Sequence, residues 1–317
     1  MSAPTKILID TDPGIDDAMA IFYALASPEL EVVGLTTVFG NAHTDVCTTN
    51  ALRLLDIAGR PDIQVAHGAT RPLAMQYRGP ADFVHGDDGQ GDVFLPPSTR
   101  EPVGVHAAQF IIDTVMASPE EITVVLLGPF TNMALAMLMR PDLTQFVHQI
   151  VVMGGAAFTS GNASPAAEAN IINDPEAADI VFGADCPIVM AGLDVTHHIN
   201  MTSVDLARLA DIPGPRAAHL AAIMPYYANF YRERSNVDGI FVHDSTTISY
   251  LLAPHLFTWR ELPIRVDTGH SVCRGTTLPA LRDSDEEGPW SGRRPVRILT
   301  TVDERAVIEL EFEHLAR

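Results

Sequence analysis

The feature that most restricts the fold is a train of near-continuous apolar runs, each followed by a stretch of helical periodicity. KILID (6–10) precedes a helix expected near 16–26, and EVVGLTTV (31–38) one near 44–58. IQVAH (63–67) comes next, and ITVVLL (122–127), QIVVMGG (149–155) and CPIVMAGLDV (186–195) follow with helices between them. Strands that are apolar on both sides must be covered on both sides, and crossover helices supply that cover. The expected fold is α/β: one domain over 1–317, with an open, mostly parallel twisted sheet flanked by helices. LPIRVD, RPVRILTTVD and AVIELEFE read as a β-rich C-terminal tail, and 282–295 as a polar loop. A composition that is 47% hydrophobic and 19% charged is globular and leaves ample chain for a core.

Polar residues and glycines recur where these strands end. Asp10 and Asp12 close the first, Gly40–Asn41 the second, and Gly128 to Asn132 follow ITVVLL. Met153–Gly154–Gly155 and Asp194 close two more. Ligands of open α/β sheets bind beyond the carboxyl ends of the strands, so five strands converge on one rim and define a site.

The stretch ILIDTDPGIDD places Asp10, Asp12, Asp16 and Asp17 within eight positions. Asp10 and Asp12 are two apart on an extended segment and share a side, and Asp16 and Asp17 enter the first helical turn. Helix capping accounts for one or two of them. It does not account for four, because clustered like charges raise one another's pKa and cost stability. A bound cation removes the conflict. The donors are oxygens without thiolate or a paired-His zinc spacing, which points to Ca²⁺ or Mg²⁺, and several protein carboxylates favour Ca²⁺. The segment is not an EF-hand, since the twelfth position from Asp10 is Ile21, where a bidentate Glu is required. A haloacid-dehalogenase type of phosphatase also ends a strand in D-x-D, but expects Thr or Val where this chain has Gly14.

Other segments divide between structure and chemistry. VHGDDGQGD (84–92), taken alone, reads as a flexible surface turn. Asp174–Pro175–Glu176 is a helix start, with N-cap Asp and Pro at N1. Asn162, Glu168 and Asn170 lack such an explanation and can reach a hydroxylated ligand. His243 beside Asp244 suggests a proton donor next to a metal ligand. His197–His198 read as structural. No nucleophile elbow, P-loop or strand-linked G-x-G-x-x-G occurs. A net charge of −20 argues against nucleic-acid and anionic-membrane partners, and no apolar run reaches membrane-spanning length. The N-terminal MSAPTKILID lacks signal-peptide character, and three dispersed cysteines indicate neither a disulfide framework nor a C-x-x-C metal site. A cytoplasmic location is expected.

Taken together, DTDPGIDD, VFGN, VHGDDGQG, LLGPFTN, VVMGG, GNASPAAEANIINDPEAA and FVHDS resemble the nucleoside hydrolases, the calcium-dependent N-ribohydrolases of the inosine–uridine-preferring kind. The likeness is collinear over roughly residues 5–255 and looser beyond. It implies that Asp12, Asp17, Asp244 and the carbonyl of Leu127 hold Ca²⁺, with Asp12 also the general base toward a calcium-held water. It implies that Asp16, Asn41, Asn162, Glu168 and Asn170 hold the ribose, that His85 and Met153 line the pocket, and that His243 donates a proton to the leaving base. Asp10 falls behind the ligands, in support. The implied substrate is a small ribonucleoside, cleaved through an oxocarbenium-like state with inversion, and the implied assembly is a homo-oligomer, dimer or tetramer. Ala169 stands where relatives often carry an aromatic residue. Tyr226, Tyr227 and Tyr231 either stack on a base or pack in the core. The absence of a tandem Trp pair speaks against a purine-specific branch. A hydrolase of another N-riboside and a non-catalytic nucleoside-binding protein are the alternatives.

Overall fold

The structure is a computed structural model that describes residues 3–282, 284–285 and 288–317. Its first half alternates strand and helix as the apolar runs require: β1 (Thr5–Thr11), α1 (Ile15–Ala26), β2 (Leu30–Thr37), α2 (Thr44–Ile57) and β3 (Val65–His67). A short α3 (Asp82–His85) and α4 (Ala107–Ala117) lead to β4 (Ile122–Leu126), α5 (Thr131–Met139) and β5 (Gln149–Met153). Next come α6 (Ala169–Asn173), α7 (Pro175–Val181), β6 (Ile188–Ala191) and α8 (Leu193–Thr196). A two-stranded ribbon of β7 (Asn200–Met201) and β8 (Ile240–Phe241) brackets α9 (Ser203–Ala207) and the long α10 (Pro215–Ser235). The chain closes with α11 (Ser245–Leu252), β9 (Phe257–Leu262), β10 (Ile264–Val266), β11 (Thr277–Pro279), β12 (Val296–Val302) and α12 (Glu304–Leu315).

Eight strands form one sheet in the order β3-β2-β1-β4-β5-β6-β12-β9. All neighbours run parallel except β9, which lies antiparallel to β12. The order reverses between β1 and β4, so the end of β1 opens onto the switch point of a doubly wound sheet. Alternation along the strands divides the core in two. Ile7, Ile9, Val125, Val151 and Met153 face the layer of α1, α10, α11 and α12. Leu8, Val124, Leu126, Ile150 and Val152 face the layer of α4, α5 and α7.

Two expectations are corrected. AVIELEFE is not a strand but the body of α12, where Val307, Ile308, Glu311, Phe312 and Leu315 are buried at helical spacing and the Asp303 side chain accepts from Ala306 N at 3.2 Å. CPIVMAGLDV stops as a strand at Ala191, and Leu193–Thr196 turn into α8, so Asp194 sits in a helical first turn rather than at a strand end. The described part of 282–295 forms turns and a short 3-10 stretch without strand or α-helix, and residues 283, 286 and 287 of that stretch lie outside the described residues. Among the described residues no helix is long and apolar enough to cross a membrane.

Candidate functional site

The end of β1 passes through Asp12–Pro13–Gly14 into α1, and this turn brings Asp12, Asp16 and Asp17 together, with Asp10 preceding them in β1. Asp10 Oδ1 accepts from the Thr36 hydroxyl at 2.6 Å and from Asn132 Nδ2 at 2.8 Å. Asp12 Oδ2 accepts from Asn41 N at 2.8 Å. Gly40 and Gly128 cradle the Asp12 carboxylate: a Cβ at Gly128 would stand 2.5 Å from Oδ1, and one at Gly40 would collide with Oδ2. Asp17 Oδ2 accepts from Gly14 N at 3.0 Å and from Asn41 Nδ2 at 2.9 Å, while its Oδ1 receives the Thr11 hydroxyl. Capping therefore explains one bond of Asp17. It explains nothing about Asp244, which stands at the N-cap of α11 without a side-chain capping bond.

Carboxylate oxygens of Asp16, Asp17 and Asp244 lie within 4.8 Å of one another, all buried. The trio includes Asp16, which the resemblance placed on the ribose, and leaves out Asp12. Among the described residues, the ion-pairing distance that reaches these aspartates comes from His85, whose Nδ1 is 3.9 Å from Asp16, and burial lowers that imidazole to about 4. Burial pushes Asp10 up to about 7 and Asp16 up to about 6. It holds Asp12 well above the carboxylate range with help from Asp17, and does the same to Asp244 with help from Asp16, Asp17 and Asp12. Asp12 Oδ1 has no hydrogen-bond partner among the described residues. Buried, mutually repelling oxygens with an orphaned donor fit a hard divalent cation.

The opposite wall is built by the segment after β5. Glu168 caps α6: its Oε1 accepts from Asn170 N at 2.9 Å, and its Oε2 from Gly155 N at 3.0 Å and Ile171 N at 3.1 Å. Asn170 Nδ2 donates to the Leu127 carbonyl at 2.6 Å and to the Met153 carbonyl at 3.1 Å. Met153, Glu168, Asn170 and Leu127 are thus brought together. Asn162 is exposed, and its Oδ1 accepts from Ala169 N at 3.0 Å, so it braces α6 from outside.

The tyrosines left open between stacking and core packing do neither alone. Tyr227 donates its hydroxyl to Asp16 Oδ2 at 3.1 Å and stands 3.3 Å from the Tyr231 hydroxyl. Tyr231 in turn lies 2.8 Å from His243 Nε2, and His243 Nδ1 lies 2.8 Å from the Thr196 hydroxyl. A buried chain of hydrogen-bonding groups therefore runs from Asp16 to Thr196. Burial lowers His243 to about 3, so the ring is neutral near pH 7. His85 stacks on Tyr227 with centroids 5.5 Å apart and accepts from Ile15 N at 3.1 Å. Tyr226 points away, its hydroxyl 3.3 Å from the Asp82 carbonyl, and helps line an open hollow of about 400 Å³ with Phe83 and Phe230.

Sequence reasoning missed the residues that hold the aspartate turn. VHGDDGQGD is a pinned loop rather than a loose turn, with His85 and Gln90 both buried. Gln90 Nε2 donates to the Gly14 carbonyl at 2.6 Å, and its Oε1 lies 2.8 Å from His219 Nε2. Asn50 Nδ2 donates to the Pro13 carbonyl at 3.1 Å. These contacts span long stretches of chain, and no local pattern carries them. Asp194 accepts from Ala157 N at 2.9 Å and Phe158 N at 2.6 Å, which fixes the loop beyond β5. His197 packs on Phe241 and His243.

A family model described as inosine-uridine preferring nucleoside hydrolase matches residues 7–309. The chain is 45% identical to a probable uridine nucleosidase 2 of Arabidopsis thaliana, over 98% of this chain and 97% of that one. It is 38% identical to an inosine-uridine preferring nucleoside hydrolase of Leishmania major, over 88% of each. A solved plant nucleoside hydrolase, PpNRh1, superposes with a TM-score of 0.95 at 42% identity, covering 99% of both chains.

Proposed function

The chain belongs to the family of inosine-uridine preferring nucleoside hydrolases, and from that premise we propose that it is an N-glycosyl hydrolase that cleaves ribonucleosides to ribose and free base. The observation that carries the reading is the convergence of buried Asp16, Asp17 and Asp244, with the orphaned Oδ1 of Asp12 at the end of β1 nearby. We assign Asp12, Asp17, Asp244 and the Leu127 carbonyl to a divalent cation, with Asp16 near enough to share it. Calcium is the expected ion because the donors are protein oxygens in number. When bound, such a cation offsets the carboxylate repulsion, orients oxygen ligands and eases deprotonation of a water.

Asp12, whose buried Oδ1 has no hydrogen-bond partner among the described residues, takes the proton of the attacking water in this reading. Asp16, Asn41, Glu168 and Asn170 hold the ribose hydroxyls, with Asn162 at the outer rim and Met153 and His85 lining the sugar side. Asp10 backs the ligands from β1. Surrounding carboxylates stabilise the cationic ring as the C–N bond breaks. Attack from the face opposite the base gives inversion. On the leaving-group side His243 is the proton donor, working with the Tyr231 hydroxyl 2.8 Å from its Nε2, and Tyr227 continues that chain toward Asp16. Three free cysteines, two of them buried, accord with a reducing compartment such as the cytoplasm. Assembly as a dimer or tetramer is part of the proposal and is read by light scattering.

The test is ribose release from inosine, uridine, cytidine, adenosine and guanosine, with calcium and again after EDTA. Release that EDTA abolishes and calcium restores supports the reading. Cation binding without release from any of them would leave a nucleoside-binding role or a modified riboside as the function.

A further inference from the structure

We propose that Glu311 is a positioning residue for the aspartate cluster, acting through Ser245 to set the place of Asp244. The inference rests on the reading of that cluster as a cation site. Glu311 lies on α12, is fully buried, and accepts from the Ser245 hydroxyl at 2.7 Å. Ser245 follows Asp244 directly and opens α11.

A carboxyl group there is costly. Its neighbours on the helix, Val307, Ile308, Phe312 and Leu315, form an apolar face that a leucine would continue. Its Oε2 has no hydrogen-bond partner among the described residues. Burial drives the group up to about 7. Stability alone does not account for such a residue.

Position accounts for it. The hydroxyls that follow Ser245 bond locally: Thr246 donates to the Val242 carbonyl and Thr247 to the Asp244 carbonyl, each at 2.7 Å. Ser245 instead ties the first turn of α11 to α12. Asp244 makes no capping bond to its own helix, so the backbone that Ser245 anchors sets the point from which its carboxylate reaches toward Asp17. Groups behind a metal ligand fix its orientation, and their loss weakens cation binding by tenfold or more.

Calcium titration of EDTA-stripped protein by calorimetry tests this in wild type, S245A, E311L, E311Q and the S245A/E311L double variant. S245A and E311L should each bind about tenfold more weakly, and the double variant no more weakly than either single. E311Q keeps an acceptor for the Ser245 hydroxyl and should bind close to wild type. Wild-type affinity in S245A, a change small enough to leave the fold intact, overturns the proposal even where E311L does not fold. E311Q binding as weakly as E311L overturns it too. Wild-type protein that binds no calcium is a different result, which removes the cation reading and this proposal with it.

Discussion

Asp10→Asn isolates the energetic cost of burying one carboxyl group, at a residue that does not itself reach the trio. Asp10 is fully buried, and both of its hydrogen bonds, from Thr36 and Asn132, arrive at Oδ1, which an asparagine carbonyl can replace. Its folded pKa is about 7 because burial disfavours the charge, against an ordinary value of 3.8. A raised folded value means that the stabilising form is the protonated one. The contribution is complete below the unfolded pKa and is lost as pH rises through about 7. At about 1.36 kcal/mol per pH unit, the whole cost above pH 7 is about 4 kcal/mol, roughly half of it already incurred near pH 5.5. The amide leaves an unpartnered NH₂ where Oδ2 stood, a penalty of about 1–3 kcal/mol. That penalty does not vary with pH, so the difference between two pH values is the clean quantity. Urea unfolding of EDTA-stripped protein should show Asp10→Asn gaining about 2 kcal/mol relative to wild type between pH 5.5 and pH 8. An unchanged difference between the two proteins across that range would refute the argument that burial keeps Asp10 protonated.

Asp12→Asn should lower turnover of uridine or inosine by about 10²–10⁴-fold, measured as ribose release at saturating calcium, because the water then lacks its base. His243→Ala should slow inosine far more than p-nitrophenyl riboside, whose leaving group needs no proton, with Tyr231→Phe showing the same bias, and equal losses would remove the donor role. Calcium affinity should rise from pH 5.5 to pH 8, because the raised carboxyls must lose protons to bind, and calorimetry in buffers of different ionisation enthalpy would count them. Gln90→Leu should lower the melting temperature by about 2–4 °C and weaken calcium binding, since the Gly14 carbonyl loses its buried donor.

Much of this protein is legible without its tertiary structure. The apolar runs specify strands and the intervening periods specify helices, because burial on both faces leaves no other placement for them. Asp12, Asp16 and Asp17 are close in sequence and had to be close in space, so their repulsion could be inferred from the chain alone, whereas Asp10 is perturbed by burial. Asp174–Pro175 behaved as a cap for the same local reason, its side chain accepting from Ala177 N at 3.1 Å. AVIELEFE failed because its alternation of apolar and acidic residues also satisfies a helical face. Asp303, which begins α12, was the overlooked local signal. The remainder was decided by packing. Whether Tyr227 and Tyr231 were core or site depended on what α10 met, and it met Asp16 and His243. Gln90 under Gly14 and Glu311 behind Ser245 are separated by 76 and 66 residues from what they hold. Periodicity and propensity act within a few turns, whereas these contacts exist because the sheet order brings distant elements to one rim.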